Sequence, residues 1–139
     1  MTALEVAGKH RVLVVEDEAL IAMIIEDALT DLGCEMVGPA STVEAAIRLA
    51  RDEPLDAAFL DVTIRGGDVF PVAEILLQRG VPFVFSSGYG DWSLPDAFRG
   101  HHRLTKPFTA VELEEMVRTL CRHPGRSPLA TPLIGQPGF

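Results

Sequence analysis

Apolar positions along the chain alternate between short dense runs and longer spaced stripes. Arg11-Val-Leu-Val-Val15 is a β-branched run that ends on the acidic triplet Glu16-Asp17-Glu18. Behind it Ile21, Ile24, Ile25, Ala28 and Leu32 recur at i, i+3, i+4, i+7 and i+11, the spacing of one buried helix face. Gly33 supplies a stop. A second run, Glu35-Met-Val-Gly38, leads to Ser41-Thr-Val-Glu44, a capping-box pattern in which hydroxyl and carboxylate satisfy reciprocal backbone donors. Val43, Ala46, Ile47 and Ala50 form the helical face that follows.

The third run is Ala57-Ala-Phe-Leu60, between Asp56 and Asp61. After a glycine turn at Gly66-Gly67 comes a helical stripe of Val69, Val72, Ala73 and Leu76. Pro82-Phe-Val-Phe85 and the weaker His102-Arg-Leu104 read as strands four and five. Thr109-Ala-Val-Glu112 is a second capping box, opening a last helix with Leu113, Met116, Val117 and Leu120 inward. Strands alternating with helices imply right-handed crossovers and a parallel sheet covered on both faces. The expected fold is α/β, a flavodoxin-like doubly wound five-stranded parallel sheet of order 2-1-3-4-5. Its fourth helix is expected to be shortened, because Gly88 to Gly100 holds three glycines and Pro95.

Length and composition narrow the organisation. The 139 residues make one domain, and 47% hydrophobic residues suffice for a core. Residues 9–122 form the expected folded domain, 1–8 a short N-terminal extension, and 123–139 a flexible tail with four prolines, three glycines and no acidic residue. A net charge of −8 argues against nucleic acid as a partner, since phosphates must be neutralised by Lys and Arg. No leader-like or membrane-length apolar segment is present, so no membrane is expected and the cytoplasm is the default. Cys34 and Cys121 show no metal-ligand or redox spacing and read as small buried hydrophobes. There is no asparagine, so no N-glycosylation.

In an open parallel sheet, ligands bind beyond the carboxyl ends of the strands. Glu16 and Asp17 follow strand one, Asp61 strand three, Ser86 and Ser87 strand four, and Lys106 strand five. Strands one and three are neighbours in the expected order, so three carboxylates converge. Such groups repel and raise each other's pKa unless a cation sits among them, and an all-oxygen set suits Mg²⁺. A lysine and a hydroxyl complete a phosphoryl site in which Asp61 is the in-line nucleophile, giving a labile acyl phosphate.

The set Glu16-Asp17, Asp61, Ser87 and Lys106-Pro107 resembles the receiver domain of two-component response regulators over residues about 9 to 122. Phe85-Ser-Ser-Gly-Tyr89, Asp61-Val-Thr-Ile-Arg-Gly-Gly67 and Lys106-Pro-Phe108 look like the single-domain receivers called the FAT GUY group. The resemblance implies Asp61 as phosphoacceptor, Asp17 as a direct Mg²⁺ ligand, Glu16 acting through a metal-bound water and the Thr63 main-chain carbonyl as a further ligand. It also implies Ser87 as switch hydroxyl, Lys106 as phosphoryl counter-ion and a cis Lys106–Pro107 bond. Partners implied are a histidine kinase or histidine phosphotransfer protein and a downstream protein target, with the receiver a monomer or weak homodimer. Two positions depart from the pattern. Arg103 stands where the family carries a switch Tyr or Phe, and the Ser87-to-Lys106 interval of 19 residues is short.

Plainer roles exist for several of these residues. Glu16-Asp17 also fits an acidic first turn favoured by the helix dipole, Ser87 a turn hydroxyl, Asp61 a strand-end cap and Lys106 a surface lysine. His101-His102 reads as a solvated strand entrance, and Tyr89 and Trp92 as loop anchors or partner contacts. The leading function is a stand-alone phosphorylatable receiver that signals through protein contacts or drains phosphate from a kinase, because no output domain follows residue 122. A phosphorylation-independent docking module with the same fold is the alternative. An aspartate-nucleophile phosphatase is disfavoured, since that chemistry needs a second carboxylate where Thr63 stands.

Overall fold

The computed structural model describes residues 9–88 and 94–121. The expected extension at 1–8, the tail from 123, and Tyr89 and Trp92 lie outside the described residues.

Five strands form one parallel sheet: β1 (Arg11–Val15), β2 (Glu35–Ala40), β3 (Ala57–Asp61), β4 (Phe83–Ser87) and β5 (His102–Thr105). Their order is β2-β1-β3-β4-β5, as the alternation of runs and stripes implies. The helices are α1 (Ala19–Asp31), α2 (Val43–Asp52), α3 (Phe70–Arg79) and α4 (Ala110–Cys121). A two-residue hairpin, Thr63–Ile64 against Gly67–Asp68, follows β3. Where a shortened fourth helix is expected, the described residues hold a single 3-10 turn, Asp96–Phe98, and the last helix is α4 in this numbering.

Strand alternation divides the core into two layers. Leu13, Ala58, Leu60, Phe83 and Phe85 face α2, α3 and the 3-10 turn. Val12, Val14, Ala57, Phe59, Val84 and Leu104 face α1 and α4. β3 and β4 are buried at every residue because sheet neighbours flank them and helices cover both faces.

Three local expectations need correction. Ile24 is 47% exposed, not inward; Ala22 and Leu29 take the buried positions of α1 beside Ile25 and Ala28. The cap of α2 is Thr42, whose hydroxyl accepts from the Ala45 amide at 3.1 Å, one residue later than the Ser41 box. His101 is not merely solvated: it stacks on Phe83 with ring centroids 4.7 Å apart. The second box forms as read. Thr109 Oγ1 accepts from the Glu112 amide at 3.1 Å and Glu112 Oε1 accepts from the Thr109 amide at 2.9 Å.

One irregularity sets the site. Between Leu13 and Val15 of β1 the partner strand advances from Val37 to Ala40, a bulge at Gly38-Pro39. Gly38 has φ +108°, and a Cβ there would stand 2.9 Å from the Val14 carbonyl oxygen and 2.8 Å from the Ala40 nitrogen. Only glycine fits. The bulge brings the Ala40 carbonyl to the Glu16 amide at 2.9 Å, anchoring the residue that opens the site.

Candidate functional site

Glu16 leaves β1 buried, 3% exposed, where a carboxylate stays only with partners. Its Oε2 accepts from the Glu18 amide at 3.1 Å, which folds the acidic triplet into a turn before α1. Asp17 is half-buried beside it. Asp61 ends β3, the neighbour of β1, at 8% exposure. Oxygen atoms of Glu16, Asp17 and Asp61 all lie within 4.8 Å of one another. Among the described residues this is the one cluster of His, Cys, Asp and Glu compact enough to hold a metal ion.

Lys106 reaches this cluster from beyond β5. Its Nζ is 3.1 Å from Asp61 Oδ2, 3.1 Å from Glu16 Oε1 and 3.7 Å from Glu18 Oε1. Its amide donates to the Ser87 carbonyl at 2.8 Å, and the Lys106–Pro107 bond is cis, as the resemblance implies. Gly38–Pro39 is a second cis bond. Glu18 at the rim was legible only as part of the acidic triplet.

The electrostatics follow from burial. Desolvation, then the Asp61 charge, push the Glu16 carboxyl up to about 7, although the Glu18 amide and Lys106 pull the other way. Burial pulls the Lys106 pKa down, but Asp61 and Glu16 together outweigh it and hold the ammonium above its ordinary value. One lysine therefore stands beside a cluster of three carboxylates, more hard oxygen donors than a single ammonium satisfies. That donor set fits a divalent cation such as Mg²⁺.

The strand ends thus bring together Glu16, Asp17, Asp61 and Lys106. Ser87 ends β4, 2% exposed, one residue past the position paired with Asp61. Thr63 begins the hairpin two residues after Asp61 and pairs with Asp68. Arg103 is exposed on β5 and donates to the Arg99 carbonyl at 3.2 Å, so no ring occupies that position. Cys34 and Cys121 are both free and buried, with burial pushing both thiols up, Cys121 to about 12, away from the reactive thiolate form.

A parallel α/β sheet with acids, a lysine and a hydroxyl at its strand ends is an arrangement suited to a phosphoacceptor signalling module. The response regulator receiver domain profile matches residues 12–118, and the chain belongs to that family of two-component signalling proteins. It is 30% identical over 136 residues to the probable transcriptional regulator ycf27 of Guillardia theta, covering 94% of this chain and 52% of that protein. The chain spans about half the length of the curated relatives it matches. Among solved structures it resembles SdrG from Sphingomonas melonis Fr1, at 43% identity and a TM-score of 0.72, covering 81% of this chain and 96% of that one. It also resembles the BeF3-activated conformation of SdrG from Pseudomonas melonis Fr1, at 44% identity and a TM-score of 0.67, covering 80% and 95%.

Proposed function

We propose that this chain is a receiver of the FAT GUY-type group that accepts a phosphoryl group on Asp61 from a histidine kinase or histidine phosphotransfer protein. The observation that carries the reading is the Lys106 ammonium held 3.1 Å from Asp61 Oδ2 within a triad of carboxylates, two of them buried. The Asp61 oxygen attacks phosphorus in line, and the bond to the donor nitrogen breaks with its electron pair leaving on the donor. Lys106 then turns from Asp61 to an equatorial oxygen of the transferred group, and Ser87 donates to another. Glu16, Asp17 and Asp61, with the Thr63 main-chain carbonyl, would hold Mg²⁺, which neutralises developing phosphoryl charge. The domain thereby catalyses its own phosphorylation and dephosphorylation.

The partner's histidine must reach Asp61 past the rim of the site. Leu20, Met23 and Ile24 of α1 are 71, 58 and 47% exposed, and Val111 of α4 is 65% exposed. Ile21 and Ile24 line a shallow apolar recess with Glu18, Lys106, Pro107 and Phe108, so the recess opens beside the catalytic lysine. A helical, histidine-bearing phosphodonor is the occupant this placement fits. Output runs through contacts with a target protein or through draining the donor of phosphate.

A second reading, docking independent of phosphorylation, draws on Arg103 at the switch position and on the 3-10 turn that is, among the described residues, the only helical piece between β4 and β5. It requires Asp61→Asn to leave target affinity unchanged. The phosphoacceptor reading is tested with beryllofluoride, a tetrahedral stand-in for a phosphoryl group. With Mg²⁺ it should shift the amide resonances of residues around Asp61, Ser87 and Lys106 in the wild type and leave Asp61→Asn unaffected. Equal shifts in both proteins would refute it.

A further inference from the structure

Among the described residues, one buried side-chain oxygen has no hydrogen-bond partner: Ser86 Oγ. Ser86 is 5% exposed and lies inside β4, one residue before the serine assigned as switch hydroxyl. It pairs laterally with Asp61 of β3 on one side and Leu104 of β5 on the other. Two residues earlier Val84 packs with Phe59 and Leu104 on the α1–α4 face. Strand alternation therefore puts Ser86 on the same face as Asp61, in the next row toward the strand ends. The Lys106 side chain starts beyond β5 and ends 3.1 Å from Asp61 Oδ2 in β3. With β4 lying between those strands, the lysine crosses over the row that holds Ser86.

A buried hydroxyl without a partner is destabilising, and alanine would fill the same place without that penalty. Such a group has a use where a partner arrives in another state of the site. Here the unphosphorylated state gives the Asp61 oxygen to Lys106. Resting on the phosphoacceptor reading above, we propose that Ser86 is a positioning residue for the phosphoryl chemistry of Asp61: its hydroxyl donates to the Asp61 carboxyl oxygen once Lys106 turns to the phosphoryl group.

The consequence falls on the lifetime of the adduct. When water attacks phosphorus, the bond from phosphorus to the Asp61 oxygen breaks and its electron pair returns to the carboxyl group. The water's oxygen stays on phosphorus, and its protons leave with inorganic phosphate or pass to solvent. The departing carboxylate accepts a hydrogen bond better than the acyl phosphate does. The Ser86 hydroxyl therefore binds the transition state more strongly than the ground state and speeds hydrolysis.

The test loads the protein with acetyl phosphate and Mg²⁺, removes the donor, and follows loss of the adduct by intact mass. Ser86→Ala should slow that decay about fivefold, since only the strengthening of the hydrogen bond from acyl phosphate to departing carboxylate is lost. The thermal midpoint of the unphosphorylated Ser86→Ala protein should stay level or rise, which a merely structural serine would not produce. Ser86→Thr keeps the hydroxyl and should decay at the wild-type rate. Equal decay in wild type and Ser86→Ala overturns this inference alone. Slow decay in Ser86→Thr also overturns it, because side-chain volume is then the cause. A wild-type protein that accepts no phosphoryl group from acetyl phosphate or phosphoramidate overturns the phosphoacceptor reading and this inference together.

Discussion

Lys106 carries more of the site than any other residue, because its ammonium is the cation shared by Glu16, Asp61 and Glu18. It is also largely screened from water, with its side chain 16% exposed. Replacing it with methionine keeps the packing of the stem but leaves two buried carboxylates facing each other. In metal-free buffer Lys106→Met should lose about 3 kcal/mol of stability by urea unfolding. Added Mg²⁺ should restore part of that loss by supplying positive charge to the same oxygens. A variant as stable as the wild type without metal would show that the carboxylates are protonated or solvated instead. The sequence made this residue readable because a lysine before a proline at the end of the last strand has few other reasons to sit there. Glu16 and Asp17 were readable for a related reason: paired acids directly after a β-branched run face the strand-end crevice. Ser86 was not separable from Ser87, since both follow the same apolar run and only the register of β4 with β3 sets Ser86 opposite Asp61.

At the scale of elements, helix starts show where local pattern suffices. Thr109 and Glu112 close their box without help from elsewhere in the chain, so α4 begins where the pattern puts it. At α2 the hairpin intervenes. Thr42 bridges to Arg65 and the Val43 amide donates to the Arg65 carbonyl at 3.0 Å, which moves the cap from Ser41 to Thr42. Ile24 departed from expectation because α1 carries apolar residues around more than one face, and the sheet can cover one. The 3-10 turn is too short to hold itself by helix bonds. Phe98 instead stacks on Phe70 at 5.9 Å and meets Phe83, Phe85 and His101 edge-on. His101 in that cluster has its pKa lowered, by burial first and by His102 second. The unfolded chain therefore binds a proton near pH 6.5 that the folded cluster resists. The His101 contribution to stability is present above that pH and is lost as pH falls through the lower folded value. Comparing thermal unfolding of the wild type and His101→Phe should show a gap that widens as pH drops below 6.5. A constant gap would mean that His101 does not titrate against the cluster.

For the whole molecule, the two covered faces and the strand order were legible from the alternation of runs and stripes, since period and length decide both. The hairpin after β3 was not, because two-residue strands leave no periodic trace. Nor was the bulge at Gly38-Pro39, whose cause is the approach of Val14 from another strand. What the assembled molecule adds is a surface: apolar side chains of α1 and α4 beside a charged pocket, on a chain of net charge −8. Among the described residues no helix is long and apolar enough to cross a membrane. If the α1 patch seats the phosphodonor, Met23→Arg with Ile24→Arg should cut phosphotransfer from a histidine kinase that labels the wild type by tenfold or more. Labelling by acetyl phosphate should not change, because the small donor needs no docking surface. Equal loss with both donors would place the defect in the fold or the pocket.

The most direct measurement of the central claim is the intact mass of the protein after incubation with acetyl phosphate, with and without Mg²⁺, alongside Asp61→Asn. The expected result is a single phosphoryl adduct that requires Mg²⁺ and is absent from Asp61→Asn. An adduct of undiminished yield in Asp61→Asn, or one formed equally well in chelator, would contradict it.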